Sequence, residues 1–122
     1  MNNIAEAYRY LENAKEILST KAQKEDGYYQ DKKYVKLAGH AAYSGVLVAL
    51  DHALERPKKG RVSVEWYKEN IAKLDKKMLN YFNEVYEVMH LVMGYDGFGK
   101  EKIIKDGFES AEKIIKWVEN KI

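Results

Sequence analysis

Apolar residues recur at steps of three and four through four stretches of the chain. From Asn3 to Thr20 the positions Ile4, Ala7, Leu11, Ala14 and Leu18 keep that spacing, while Arg9, Glu12, Lys15 and Glu16 fall between them. Side chains so spaced lie on one face of an α-helix, and the stretch reads as an amphipathic helix. Asn3, with Glu6 three residues on, is placed to accept a bond from a free amide of the first turn, as in a capping box. The polar loop Lys21 to Gly27 ends this element, and a second helix is expected over Tyr28 to Arg56. Its middle, Leu37 to Leu50, carries little charge on any face, which predicts the most buried of the helices. Gly39, Ala42, Gly45 and Ala49 recur there every three or four positions and would let another helix approach closely, each glycine at some loss of helicity. Pro57 stops the helix, because the residue before a proline avoids the helical region.

Ser63 is the expected cap of a third helix that runs to Met93. Tyr67, Ile71, Leu74, Met78, Tyr81, Val85, Val88 and Val92 keep a seven-residue repeat along it, the pattern of bundle or coiled-coil packing. Gly94, Gly97 and Gly99 then break the chain. A fourth helix follows from Lys100 to Asn120, with Ile104, Phe108, Ala111, Ile115 and Val118 inward. The expected helices therefore span about 3–20, 28–56, 63–93 and 100–120. Four amphipathic helices on short connectors have one economical packing, up-down-up-down around a shared core. The expectation is an all-α protein, one antiparallel four-helix bundle domain over residues 1–122. The second and third helices outrun their partners, and their apolar overhang points to a dimer surface.

Composition agrees with a folded protein: 46% of residues are hydrophobic and 33% charged, with one proline. The absence of cysteine rules out disulfides, thiolate metal sites and a cysteine nucleophile. No apolar run approaches the roughly 20 residues of a membrane span. Met1 to Glu6 lacks the basic start and apolar core of a signal peptide, so a cytoplasmic protein is expected. The net charge of +2 balances 21 basic against 19 acidic residues, too small an excess to imply nucleic acid. Lys32, Lys33 and Lys36, and Arg56, Lys58, Lys59 and Arg61, form local basic groups. A solvated surface is the ordinary reading of both groups, and a phosphate-binding patch is the alternative, with Lys58, Lys59 and Arg61 as its candidates.

Glu87 and His90 form a Glu-x-x-His pair, the unit of di-iron bundles. Such sites need a second pair and two further glutamates, and the second pair is absent, so neither metal nor other cofactor is expected. His40 and His52 lie twelve residues apart on the second helix. That is roughly 18 Å along its axis, so they cannot share a metal. Asp51 points about a hundred degrees from His52, so the two are not a catalytic dyad. No phosphate loop, nucleophile elbow or dinucleotide fingerprint occurs. Ten tyrosines stand in the chain, with Tyr28, Tyr29 and Tyr34 clustered before Leu37. Tyrosine packs its ring and offers its hydroxyl at a boundary, and it also stacks on unpaired bases. Core-edge packing or self-association is the leading reading, with Tyr28 and Tyr29 as binding candidates.

With these segments in view the chain resembles the HEPN-like helical bundles of bacteria. Ala5-Glu-Ala-Tyr-Arg-Tyr-Leu-Glu-Asn-Ala-Lys-Glu-Ile-Leu18 is similar to their opening helix. Gly39-His-Ala-Ala-Tyr-Ser-Gly45 and the residues up to Leu54 resemble their small-residue second helix, with its alanine–tyrosine step. Val85-Tyr-Glu-Val-Met-His-Leu-Val-Met-Gly-Tyr-Asp-Gly97 resembles the end of the third. RNA-cleaving members carry an arginine followed at short spacing by a histidine or tyrosine. Here Tyr95 fills the second position, and His90 stands where the arginine is expected. Arginine is a permanent, forked donor to phosphate, whereas histidine is mostly neutral at pH 7. The reading is therefore a non-catalytic HEPN-like protein that acts by binding, with His90 and Tyr95 as its candidate catalytic pair if it is an enzyme after all. A homodimer is implied by the resemblance, since members pair through the face that carries their site. A divergent RNA-cleaving or nucleotide-handling enzyme, or a module that binds RNA or another protein, remains the alternative.

Overall fold

A computed structural model of the protein describes residues 2–58 and 60–121. The chain is predominantly helical. Helix α1 (Asn3–Lys21) is followed by two short strands, β1 (Lys24–Glu25) and β2 (Tyr28–Tyr29), and by α2 (Lys32–Ala53). Then come α3 (Val64–Leu74), α4 (Lys76–Val85), a π-helical segment (Tyr86–Tyr95) and α5 (Glu101–Lys121).

Ile4, Ala7, Leu11, Ala14 and Leu18 are the buried residues of α1, the five that the spacing selects. Its cap is Asn2, one residue earlier than expected: the Asn2 side chain accepts from the Ala5 amide at 2.7 Å. Asn3 is thereby freed to reach across, and its Nδ2 lies 3.0 Å from His52 Nδ1. The start of α1 thus sits beside the end of α2, and the two helices run antiparallel. Contacts of Lys15 with Glu112 and of Tyr8 with Glu119 set α1 antiparallel to α5 as well.

Tyr28 and Tyr29 do not begin the second helix. They pair with Glu25 and Lys24 across an Asp26-Gly27 turn in which both residues have positive φ. That is the two-residue hairpin turn whose twist matches the strands it joins. Main-chain bonds from Tyr29 N to Gly99 O (2.7 Å) and from Glu101 N to Gly27 O (3.0 Å) hold the hairpin against the start of α5. Helix α2 begins only after Asp31, whose carboxylate accepts from Lys33 N, and it ends at Ala53, before Pro57.

The small residues of α2 do what their spacing implies. A Cβ on Gly45 would stand 2.7 Å from Tyr10 Cβ and 2.9 Å from Ala7 O, so α1 packs directly on the backbone there. On the other side, a Cβ on Gly39 would stand 2.6 Å from Met89 O and 2.7 Å from Met93 Cβ in the π-helical segment. Burial of α2 is nevertheless one-sided: His40 and Ser44 are exposed, and Leu37 is 49% exposed.

The single third helix expected from Ser63 to Met93 is three elements. Ser63 does cap α3, accepting from Trp66 N at 3.2 Å. At Asp75 the backbone turns extended, with φ −164° and ψ 109°. The Asp75 amide closes α3 on Ile71 O, and its carboxylate caps α4 by accepting from the Lys77 and Met78 amides. Beyond Val85 the turns widen, as in the Asp96 N to Leu91 O bond, which spans five residues. Both changes shift the inward face. Leu74 is 53% exposed and Val92 only half-buried, while Phe82, Met89 and Met93 are fully buried. Ile104, Phe108, Ala111, Ile115 and Val118 of α5 are buried as expected and complete one continuous apolar core.

Candidate functional site

The C-terminal half of α2 carries Tyr43, Ser44, Leu47, Val48 and Asp51, spaced so that they share one face. Tyr86 and His90 of the π-helical segment stand opposite, and Tyr67 of α3 closes one end. The connection after α2 adds Arg56, Arg61 and Val62, and the start of α3 adds Val64. Together these side chains line a cleft of about 480 Å3. Small-molecule sites run from roughly 300 to 1,000 Å3.

Three rings meet at one wall. The His90 ring centroid lies 5.0 Å from that of Tyr43 and 5.1 Å from that of Tyr86, and the two tyrosines are 6.1 Å apart. Lys68 Nζ sits 5.2 Å from the Tyr86 ring centroid, within cation–π range. Burial, reinforced by the neighbouring Tyr86, pushes the Tyr43 phenol up to about 12. Tyr43 is therefore a neutral donor at physiological pH and not a base.

The other end is a hydrogen-bonded chain. The Tyr67 hydroxyl donates to Asp51 Oδ1 at 2.5 Å, and Arg56 Nη1 lies 3.3 Å from Asp51 Oδ2. Both carboxylate oxygens are thus engaged. Burial, then the bond to Asp51 and the charge of that carboxylate, raise the Tyr67 phenol well above its ordinary value. Arg56 also reaches the Gly60 carbonyl at 3.4 Å. Arg61 is different: it lines the cleft and, among the described residues, has no carboxylate within ion-pair distance.

Of the residues singled out in the sequence, His90 and Arg61 come together in this cleft. Tyr95 does not line it; it stands 77% exposed at the end of the π-helical segment. Lys58 is exposed on the connection outside the lining, and Lys59 lies outside the described residues. Tyr28 and Tyr29 sit at the hairpin, away from the cleft: Tyr28 packs its ring 6.0 Å from that of Phe98, and Tyr29 borders a separate hollow of about 320 Å3 with Leu18 and Phe108. His40 and His52 are exposed. Glu87 is exposed and His90 half-buried, and among the described residues no three His, Asp or Glu side chains converge as a metal site would require.

Asp51, Tyr43, Tyr67 and Tyr86 were not singled out from the sequence as site residues, and Arg56 stood out only as a member of a basic group. Asp51 had one signal, being the sole acidic residue within α2. Its pairing with Tyr67 had none, because the partners lie sixteen residues apart across an irregular connection.

Residues 2–120, which include every element around the cleft, match the family described as Domain of unknown function (DUF5618). The chain belongs to the DUF5618 family. It is also similar to a solved structure, a protein of unknown function from Dyadobacter fermentans, with a TM-score of 0.96 and 59% sequence identity over 98% of this chain and 96% of that one. No curated protein matches the sequence. None of the helices in this DUF5618 protein is long and apolar enough to cross a membrane, among the described residues.

Proposed function

We propose that this DUF5618 protein is a HEPN-like, single-domain antiparallel four-helix bundle that acts by binding, as a cytoplasmic bacterial homodimer, and not by catalysis. In that reading α3, α4 and the π-helical segment count together as the third rod. The observation that carries the binding role is the commitment of the cleft's reactive groups. Asp51 is held by Tyr67 and Arg56, Tyr43 keeps its proton, and the His90 ring is packed against two tyrosines. A general base must reach its substrate's proton, and with Asp51 and Tyr43 so committed the cleft is better suited to holding a ligand than to moving a proton. The dimer is supported by Leu37, Leu91 and Tyr95, large exposed side chains on α2 and the π-helical segment, which pack side by side. Light scattering over a concentration series tests it; twice the chain mass is expected, and a strict monomer refutes the pairing.

A divergent RNA-cleaving or nucleotide-handling enzyme is the second reading, favoured by the meeting of His90 with Arg61 in one cleft. It requires that the purified protein degrade a mixed RNA pool and that His90→Ala abolish the activity. An intact pool at micromolar protein eliminates it. Simple RNA binding would instead show as affinity that falls steeply with salt.

A further inference from the structure

We propose that the cleft between α2 and the π-helical segment takes a small monocarboxylate bearing a planar ring, with Arg61 as the residue that holds the carboxylate. The assignment rests on the binding role given to the cleft above and names the chemistry of its ligand.

Charge decides the polar part. Arg56 and Asp51 neutralise each other at an Nη1–Oδ2 distance of 3.3 Å, and Tyr67 occupies the second Asp51 oxygen. A cationic ligand would therefore compete with Arg56 and Tyr67 for Asp51, whose charge is already balanced. Arg61 is the charge of the lining left over, and its planar fork matches a carboxylate through two parallel hydrogen bonds. One uncommitted cation balances one negative charge. A phosphate monoester would bring nearly two, and among the described residues the lining holds no second free cation to match the other.

The apolar part follows from the remaining surface. Leu47, Val48, Val62 and Val64 provide aliphatic contact, and Tyr43, Tyr86 and His90 form a cluster of rings at one wall. Flat hydrocarbon or aromatic bodies pack against such walls with little entropy to lose. A ringless acid would leave that surface in water, and a neutral ring would leave Arg61 unmatched. The half-buried Tyr43 hydroxyl, neutral to about pH 12, supplies a further donor for a carboxylate or ring substituent.

Isothermal titration calorimetry with 2-naphthoate as the probe tests the assignment. The comparison set is 2-naphthamide, its neutral isostere; acetate, its ringless counterpart; and 2-naphthyl phosphate. The expected order places 2-naphthoate first, with the amide weaker by roughly tenfold or more, the loss of one charged hydrogen-bonded pair. Arg61→Ala should weaken 2-naphthoate by the same factor and leave the amide unchanged, while Arg61→Lys should fall between. Arg61 is exposed, so the variants should fold, which circular dichroism checks. Equal binding of acid and amide, acetate as tight as 2-naphthoate, a tighter phosphate, an indifferent Arg61→Ala, or no heat up to millimolar probe would each overturn it. The comparison of acid with amide needs no variant and stands even if one misfolds. Light scattering and RNA degradation on the same preparation read the dimer and the non-catalytic role separately, so loss of the ligand assignment leaves those results standing.

Discussion

Tyr67 donates its one hydroxyl proton to Asp51 from a ring that is almost wholly buried. Tyr67→Phe keeps the ring and removes the donor, leaving the carboxylate with Arg56 and solvent. Asp51 is partly exposed, so water compensates in part, and a loss of about 1 kcal/mol in urea unfolding is expected. The same residues set a response to alkali. A phenol whose folded value exceeds the unfolded 10.0 is favoured by the fold in its neutral form. Its stabilisation is complete below that pH and is lost as pH rises through about 12 for Tyr43. Phenolate absorbance should show Tyr43 and Tyr67 ionising late, above the ordinary tyrosine range, and Tyr43→Phe should remove one of the late steps. At Gly45 two opposing effects meet. Alanine gains about 1 kcal/mol of helix propensity. Its Cβ, however, would meet the Ala7 carbonyl at 2.9 Å, which α1 can relieve only by moving away. Overpacking of this kind costs about 1–3 kcal/mol, so Gly45→Ala should lower the urea midpoint despite the better helix former.

The break at Asp75 shows how one polar side chain reorganises an element. A heptad running unbroken from Tyr67 to Val92 describes a straight rod, and aspartate is a modest helix former at worst, so periodicity passes over it. In the fold its carboxylate is better satisfied by two free amides of α4 than by water, and it caps instead of continuing. Asp75→Ala should cost about 1 kcal/mol, the worth of an N-cap, measured by denaturant unfolding. The π-helical segment has the opposite character. Nothing local in Tyr86 to Tyr95 demands wide turns. They set Tyr86 and His90 in ring contact and bring Met89 and Met93 into the core where Gly39 lets the backbones meet. The α1 and α5 faces were legible because each helix buries one stripe with no interruption. The hairpin was signalled by Asp26-Gly27 but lost to the following tyrosines, which suit helix and strand alike.

At the scale of the whole molecule, exposed apolar side chains bear on assembly. Leu91 is 38% exposed and Leu37 49%, on neighbouring antiparallel elements that lead into the ring-lined wall of the cleft. In the proposed homodimer Leu91→Glu would bury a charge at the pairing face, and a carboxylate without a partner is expensive to desolvate. Light scattering should then report a monomer with unchanged helical circular dichroism. Retention of the dimer would move the interface elsewhere without touching the fold.

Helix content, the inward faces of α1 and α5, the Ser63 cap and the close approaches at Gly39 and Gly45 were all determined by residue spacing and local side-chain chemistry. They depend on a period of 3.6 and on side-chain size, both local properties. His90 and Arg61 were visible as chemistry but not as lining of one cleft. Their meeting, the Tyr67–Asp51–Arg56 chain and the ring cluster depend on where α2, α3 and the π-helical segment cross, and that is decided by which carboxylate caps, which glycine yields and where the turns widen. Those choices are made by competition among distant partners, so only the folded chain displays them.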